Sequence, residues 1–224
     1  MKNLFNTAVI IAIVATPVMN ACSNAPEGDK ATITAEQRAS EAKGTRFTVD
    51  TAASRIRFTG HGVGKNHPGT FRLSGGNVSV AGNDITAGDF IINIQSLELE
   101  QKGEMFDKKL RPHLMSGDFF DANKFRTARF EITGVQPYRP SEKDTSIVGG
   151  ANYLVSGNFT LRDVTKNITF PARIDLDDNT LRAKGNFDID RTEWKMNYGN
   201  DKTLGDKFIS EKVNIELDLQ ARRQ

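Results

Sequence analysis

The chain has one cysteine, Cys22, in 224 residues. No disulfide framework within the chain can stabilise the fold, and no cysteine-based zinc or redox motif can be built. Histidine is nearly as scarce, with three in all. His61 and His67 flank a turn and could share a metal, but no clear third ligand accompanies them; the other reading is a pair of strand-end histidines. Nucleophile elbows, zincin motifs and dinucleotide fingerprints are missing. Gly60-x-Gly62-x-Gly64-Lys65-Asn66 has the wrong spacing for a phosphate loop, no Ser or Thr after the lysine and no helix behind it. An excess of one charge is also lacking: 30 Lys and Arg face 28 Asp and Glu, interspersed, for a net of +2. That gives no argument for a nucleic-acid partner. Hydrophobic residues make up only 38%, which excludes a multi-span membrane protein.

The one long apolar run is Leu4 to Met19. It follows Lys2, and with Pro17 near its end it is too short for a comfortable transmembrane helix. Residues 1–21 therefore read as an export signal. Met19-Asn20-Ala21-Cys22 resembles an imperfect lipobox, which makes Cys22 a candidate lipid anchor; an ordinary signal peptide cut near Ala21 would instead leave a free thiol. Either way the expected location is the periplasm, or the outer membrane for a lipoprotein. Residues 22–44 are polar and carry Pro26 and Gly28, so they read as a flexible tether. Within them Thr34-Ala35-Glu36-Gln37 could cap a brief helix through Ala42. The folded domain is expected to span residues 45–224.

What is present is alternation. Ile56, Phe58 and Gly60 share one strand face, and Arg55, Arg57 and Thr59 the other. The same two-residue period places Phe71 with Leu73, Phe90 with Ile92 and Ile94, and Ala128 with Phe130 and Ile132. It continues in Val155, Gly157, Phe159 and Leu161; in Ile168, Phe170, Ala172 and Ile174; in Leu181, Ala183, Gly185 and Phe187; and in Val213 through Leu219. Gly75-Gly76 should turn or bulge its strand. About eight antiparallel strands joined by short turns close into an up-and-down barrel or fold as a sandwich. The opposite faces carry full charges such as Arg55, Arg57, Arg72, Arg173 and Asp175. These would be costly inside a small lumen, so the apolar faces should point inward.

One stretch breaks the pattern. Phe106, Leu110 and Leu114 recur at helical spacing, Pro112 keeps the helix short or kinked, and Gly117 is placed for a left-handed cap. Asp118 could then cap a further turn bearing Phe119 and Phe120. Such a piece must bury its apolar face on the sheet, over one end of a barrel. The segment His113-Leu114-Met115-Ser116-Gly117-Asp118-Phe119-Phe120-Asp121, followed by Lys124-Phe125 and Ala128-Arg129-Phe130, closely resembles the signature of the YceI-like family. Gly69-Thr70-Phe71, Ser156 to Lys166, Asp190-Arg191-Thr192 and Gly205-Asp206-Lys207 follow in the family's order. Departures at Phe125-Arg126 and Asp163 concern loop geometry.

The resemblance implies an all-β, eight-stranded, lipocalin-like barrel with a short helical insertion over one end. It also implies a lipid-binding role rather than catalysis. The inward residues themselves permit either a solid core or a tunnel: phenylalanines are interspersed with glycine and alanine. With the resemblance, Phe58, Phe71, Phe90, Ile92, Phe130, Ile132, Val155, Phe159, Phe170, Ala172, Ala183 and Phe187 become the expected cavity wall. Leu110, Leu114, Phe119, Phe120 and Trp194 become its expected mouth. The ligand would be a long-chain lipid, with no other cofactor and no metal, and the protein a monomer or homodimer. The alternative is an envelope stress or structural module whose barrel its own side chains fill. His113 is expected to make a structural hydrogen bond to the loop after Ser116.

Overall fold

In a computed structural model, residues 26–62, 64–141 and 145–224 are described. Cys22 and the export signal lie outside them. Two short strands, β1 (Asp29–Lys30) and β2 (Thr32–Ala35), precede β3 (Thr45–Val49) and β4 (Arg55–Gly62). Then come β5 (Lys65–Ala81), β6 (Asp84–Leu99), β7 (Thr127–Pro137) and β8 (Tyr153–Leu161). The last three are β9 (Val164–Leu176), β10 (Thr180–Asp190) and β11 (Ile209–Arg223). Each strand from β4 to β11 pairs antiparallel with the next, and β11 pairs back onto β4. The result is a closed eight-stranded barrel, as the alternation and the family resemblance together implied. β3 extends the stave of β4, since both lie between β11 and β5. The turn joining them is held by Asp50, whose side chain accepts from the amides of Ala52 and Ala53.

The apolar rows point inward. Phe58, Phe71, Phe90, Phe170 and Phe187 are buried, while Arg55, Arg72, Arg173 and Asp175 are exposed on the outer face. A charged outer surface of this kind suits water rather than acyl chains. Arg57 bonds Glu216 on the neighbouring β11 and Glu100 just past the end of β6; the guanidinium holds the Glu100 carboxyl below its usual range. The expected bulge appears as a register shift between Leu73 and Gly75.

Several large rings lie over a small residue on the next strand. Phe58 is the Cα partner of Gly69, and Phe90 of Gly76. A Cβ on Gly69 would sit 2.6 Å from the Phe58 ring and 2.9 Å from the carbonyl of Glu98. A Cβ on Gly157 would overlap the Phe130 ring. The missing side chains let rings lie flat against the wall instead of filling the axis.

Two expectations for the N-terminal region are corrected. Residues 29–35 are not a free tether: β1 pairs parallel with β10 and β2 antiparallel with β9. No helix forms from Thr34 to Ala42; Thr34 and Ala35 are strand, and residues 36–43 have no regular secondary structure and bond in turn to β8, β7 and β6. The reason is backbone satisfaction. Free edges of β9 and β10 offer backbone partners to a short polar strand, whereas an isolated two-turn helix is marginal in water. Gln37 bonds Asn158 through its amide and carbonyl, and the Ser40 amide donates to the carbonyl of Ile132.

Replacing Gly69 by alanine should force the Phe58 ring or the β5–β6 register to shift, costing about 1–3 kcal/mol. A lower urea midpoint with unchanged slope is expected. An unchanged midpoint would show that the ring has room to spare.

Candidate functional site

The barrel encloses a cavity of about 310 Å³. Its wall contains all twelve expected residues: Phe58, Phe71, Phe90, Ile92, Phe130, Ile132, Val155, Phe159, Phe170, Ala172, Ala183 and Phe187. The rings stand along the wall in contact with one another. Phe58 stacks on Phe71 with centroids 5.2 Å apart, and Phe170 on Phe187 at 3.9 Å. Phe130 bridges Phe90 and Phe170 at 6.1 and 6.0 Å. The cavity is therefore bounded by hydrocarbon, with few groups that could hold a water in place.

One end is covered by the insertion between β6 and β7. A single π-helical turn (Met105–Leu110) runs into α1 (Arg111–Met115), with Pro112 in the first turn of α1, where the ring withholds one amide from the helical ladder. Leu110, Leu114, Phe119 and Phe120 all reach the cavity. Phe120 stands edge-on to both Phe58 and Phe71, at 6.3 and 5.2 Å. Outside polar groups hold the lid: Arg111 Nε donates to the Leu97 carbonyl, and Arg162 to the carbonyls of Gly117 and Lys195.

The end of α1 differs from expectation. Ser116, in extended backbone, ends the helix, and Gly117 has no positive φ. The Ser116 hydroxyl and carbonyl receive the amides of Asp118 and Phe119, so Ser116 rather than Asp118 makes the following turn. The left-handed residue is Asp121, with φ 46°. Asp118 instead bonds His113, Nε2 to Oδ2, at 2.8 Å. This is the structural bond expected of His113.

Trp194 does not belong to the mouth. It is fully buried, packs edge-on against Phe159 at 5.3 Å and donates Nε1–H to the Phe159 carbonyl at 3.1 Å, and it contributes nothing to the cavity wall. The sequence shows an apolar ring in a loop and cannot show that the ring turns under the neighbouring stave. The residue of this loop that meets the insertion is Tyr198, 4.7 Å from the His113 ring and 5.6 Å from Phe119.

Arg191 was not assigned to the site. It is 3% exposed and reaches the cavity's covered end. Its guanidinium donates to the carbonyls of Ser210 (2.8 Å), Tyr198 (2.8 Å), Ile209 (2.9 Å) and Met196. Burial pushes its pKa below the ordinary arginine value. Five N–H donors in a rigid fork suit this task, gathering two loop segments at one point. The charge thus turns toward the backbone behind the wall, and this guanidinium, the one buried among the described residues, does not cross the apolar axis. The signal in the sequence is its place in Asp190-Arg191-Thr192, one of the landmarks of the family resemblance.

His61 and His67 also border the cavity, beside Gly60 and Gly62. Each has a side-chain partner: His61 Nδ1 lies 2.5 Å from Asn66 Oδ1, and His67 Nδ1 3.2 Å from Gln101 Oε1. Among the described residues no group of three possible metal ligands assembles.

A profile of the YceI-like domain matches residues 47–221. A UPF0312 protein of Vibrio vulnificus is 32% identical over 129 residues, which cover 56% of this chain and 61% of that protein. The chain thus spans about three-fifths of the length of that relative. A UPF0312 protein of a Shewanella species is 28% identical over 153 residues, 67% of this chain and 71% of the relative. Among solved structures, BcnA of Burkholderia cenocepacia superposes with a TM-score of 0.60 at 21% identity, covering 77% of this chain and 98% of its own. A polyisoprenoid binding domain from Saccharophagus degradans gives 0.58 at 16% identity, covering 81% and 100%. At these identities the structures support the fold.

Trp194→Ala should remove a structural plug and cost about 3–5 kcal/mol. Chemical denaturation should show that loss while the cavity itself keeps its lining. A variant of wild-type stability would return Trp194 to the surface.

Proposed function

Since the chain belongs to the YceI-like domain family, we propose that it binds one long-chain amphiphile inside its barrel and stores or carries it in the bacterial envelope. The observation that carries this reading is the apolar cavity of about 310 Å³, roofed at one end by Leu110, Leu114, Phe119 and Phe120. Its size falls at the lower end of the range of small-molecule sites. The ligand class follows from the lining: a tail of polyisoprenoid, isoprenoid-quinone or fatty-acid type. Each methylene taken from water is worth roughly 0.8 kcal/mol, so a tail burying ~15 of them gains ~12 kcal/mol gross before ordering costs. The head group would stay near His61, His67 and Ser210, which border the cavity at its covered end together with Arg191.

The role is binding rather than turnover. Arg191, which borders the cavity, and His113 in the insertion are engaged in holding loops together. The other reading, a barrel filled by its own side chains, finds no support in an interior that leaves this much space. For location we propose export through residues 1–21 and acylation at Cys22, which would tie the domain to a membrane on its periplasmic side. Lipobox-like residues before the only cysteine motivate this.

Gly60 offers a clean test. It faces the cavity, and nothing lies within 4 Å of where its Cβ would be. Gly60→Phe should fold normally, because the strand position suits an aromatic residue. By displacing about two methylenes of tail it should weaken uptake of a fluorescent fatty acid roughly tenfold. Equal binding by both proteins would place the ligand elsewhere, and no binding by the unmodified chain would contradict carriage.

A further inference from the structure

The barrel wall has a seam between β9 and β10. These strands pair directly over five positions only, from Leu176↔Leu181 to Ala172↔Gly185. Nearer the covered end they part. There the edge of β9 at Lys166–Thr169 takes β2 as its partner, and the edge of β10 at Phe187–Asp188 takes β1. The N-terminal segment is thus inserted as an extra stave. Ala31 is buried to 4% exposure, its amide donating to the Asp188 carbonyl at 3.1 Å. Behind it, Phe170 and Phe187 stack across the seam, and Ile168 and Ile189 flank them; all four line the cavity.

The stave's backbone pairing is short, and a few polar bonds pin its N-terminal end: the Gly28 amide donates to Asp188, and the Asp29 carboxylate accepts from the Ser146 hydroxyl and the Ile147 amide. Two residue pairs join it to β10 and four to β9, against eleven between β10 and β11. Apart from Ala31 and the partly buried Ile33 it adds no side chain to the apolar cluster. It also lies outside residues 47–221, the span matching the family, so the barrel's recognisable part is the wall without it. Seven residue steps separate Cys22 from Asp29, a reach of at most ~25 Å; an anchor at Cys22 would keep the seam beside the bilayer.

We propose that residues 28–35 are a removable stave, and that the tail of the bound lipid enters and leaves sideways through the β9–β10 seam when this segment peels away and the Phe170–Phe187 pair separates. The proposal rests on the lipid-carriage reading and adds the route. Sideways passage spares the polar head a transit of the apolar tunnel and leaves the helical lid in place.

The test uses the full chain carrying Cys22→Ser, with Thr32→Cys and Thr169→Cys, which are Cα partners on β2 and β9. The protein is loaded with cis-parinaric acid, and transfer to phosphatidylcholine vesicles is followed by fluorescence. Oxidation should slow transfer at least about tenfold without releasing the probe, and reduction should restore it. A second variant, Ile33→Gly, loosens the stave and should speed transfer. Equal rates in the oxidised and reduced forms, or an unaltered rate in Ile33→Gly, would overturn the seam while leaving carriage intact. Failure of the unmodified chain to take up the probe would overturn carriage and the seam with it.

Discussion

Closing eight strands on themselves fixes the width of the space inside, and every other feature of this protein follows from how that space is used. A barrel of this size can be filled by its side chains or can hold one small ligand. Here the choice is made by pairing large rings with small neighbours. Phe58 lies over Gly69, Phe90 over Gly76 and Phe130 over Gly157. Each ring then covers wall rather than axis. Substituting even a methyl group at such a glycine would push the ring inward. The cavity is the geometric consequence of these placements, and its hydrocarbon lining is the consequence of strand alternation.

The ends of the barrel solve a different problem. An open apolar channel would expose a large patch to water. The insertion between β6 and β7 covers one end with four apolar side chains, and its outer side is held by Arg111, Arg162 and the His113–Asp118 pair. Arg191 gathers the carbonyls of the 196–198 and 209–210 segments beneath the same end. A buried cation is costly unless its donors are matched, and here four carbonyls match them. Polar groups thus fasten the lid from outside and below, and the space under it is lined mainly by hydrocarbon.

Much of this was legible in the sequence. A period of two places every Phe of the wall on the inner face, and charges such as Arg55 and Arg173 on the outer face exclude the inverse arrangement. The insertion was visible because Phe106, Leu110 and Leu114 change the period. Three things were not legible. Trp194 looks like any loop aromatic until its indole N–H finds the Phe159 carbonyl. Residues 29–35 look like a polar tether, because pairing with strands more than a hundred residues away leaves no local signature. Gly117 looks like the helix cap, yet Ser116 ends the helix and Asp121 takes the left-handed position. In each case a long-range or context-dependent hydrogen bond overrode a local propensity.

The central claim is that the hydrocarbon-lined interior takes up the tail of one lipid. Native mass spectrometry of the chain purified without detergent tests it most directly. The account predicts a species heavier than the polypeptide by the mass of one long-chain lipid, which organic solvent removes. A polypeptide that carries no lipid as isolated, and that acquires none from vesicles, would contradict it.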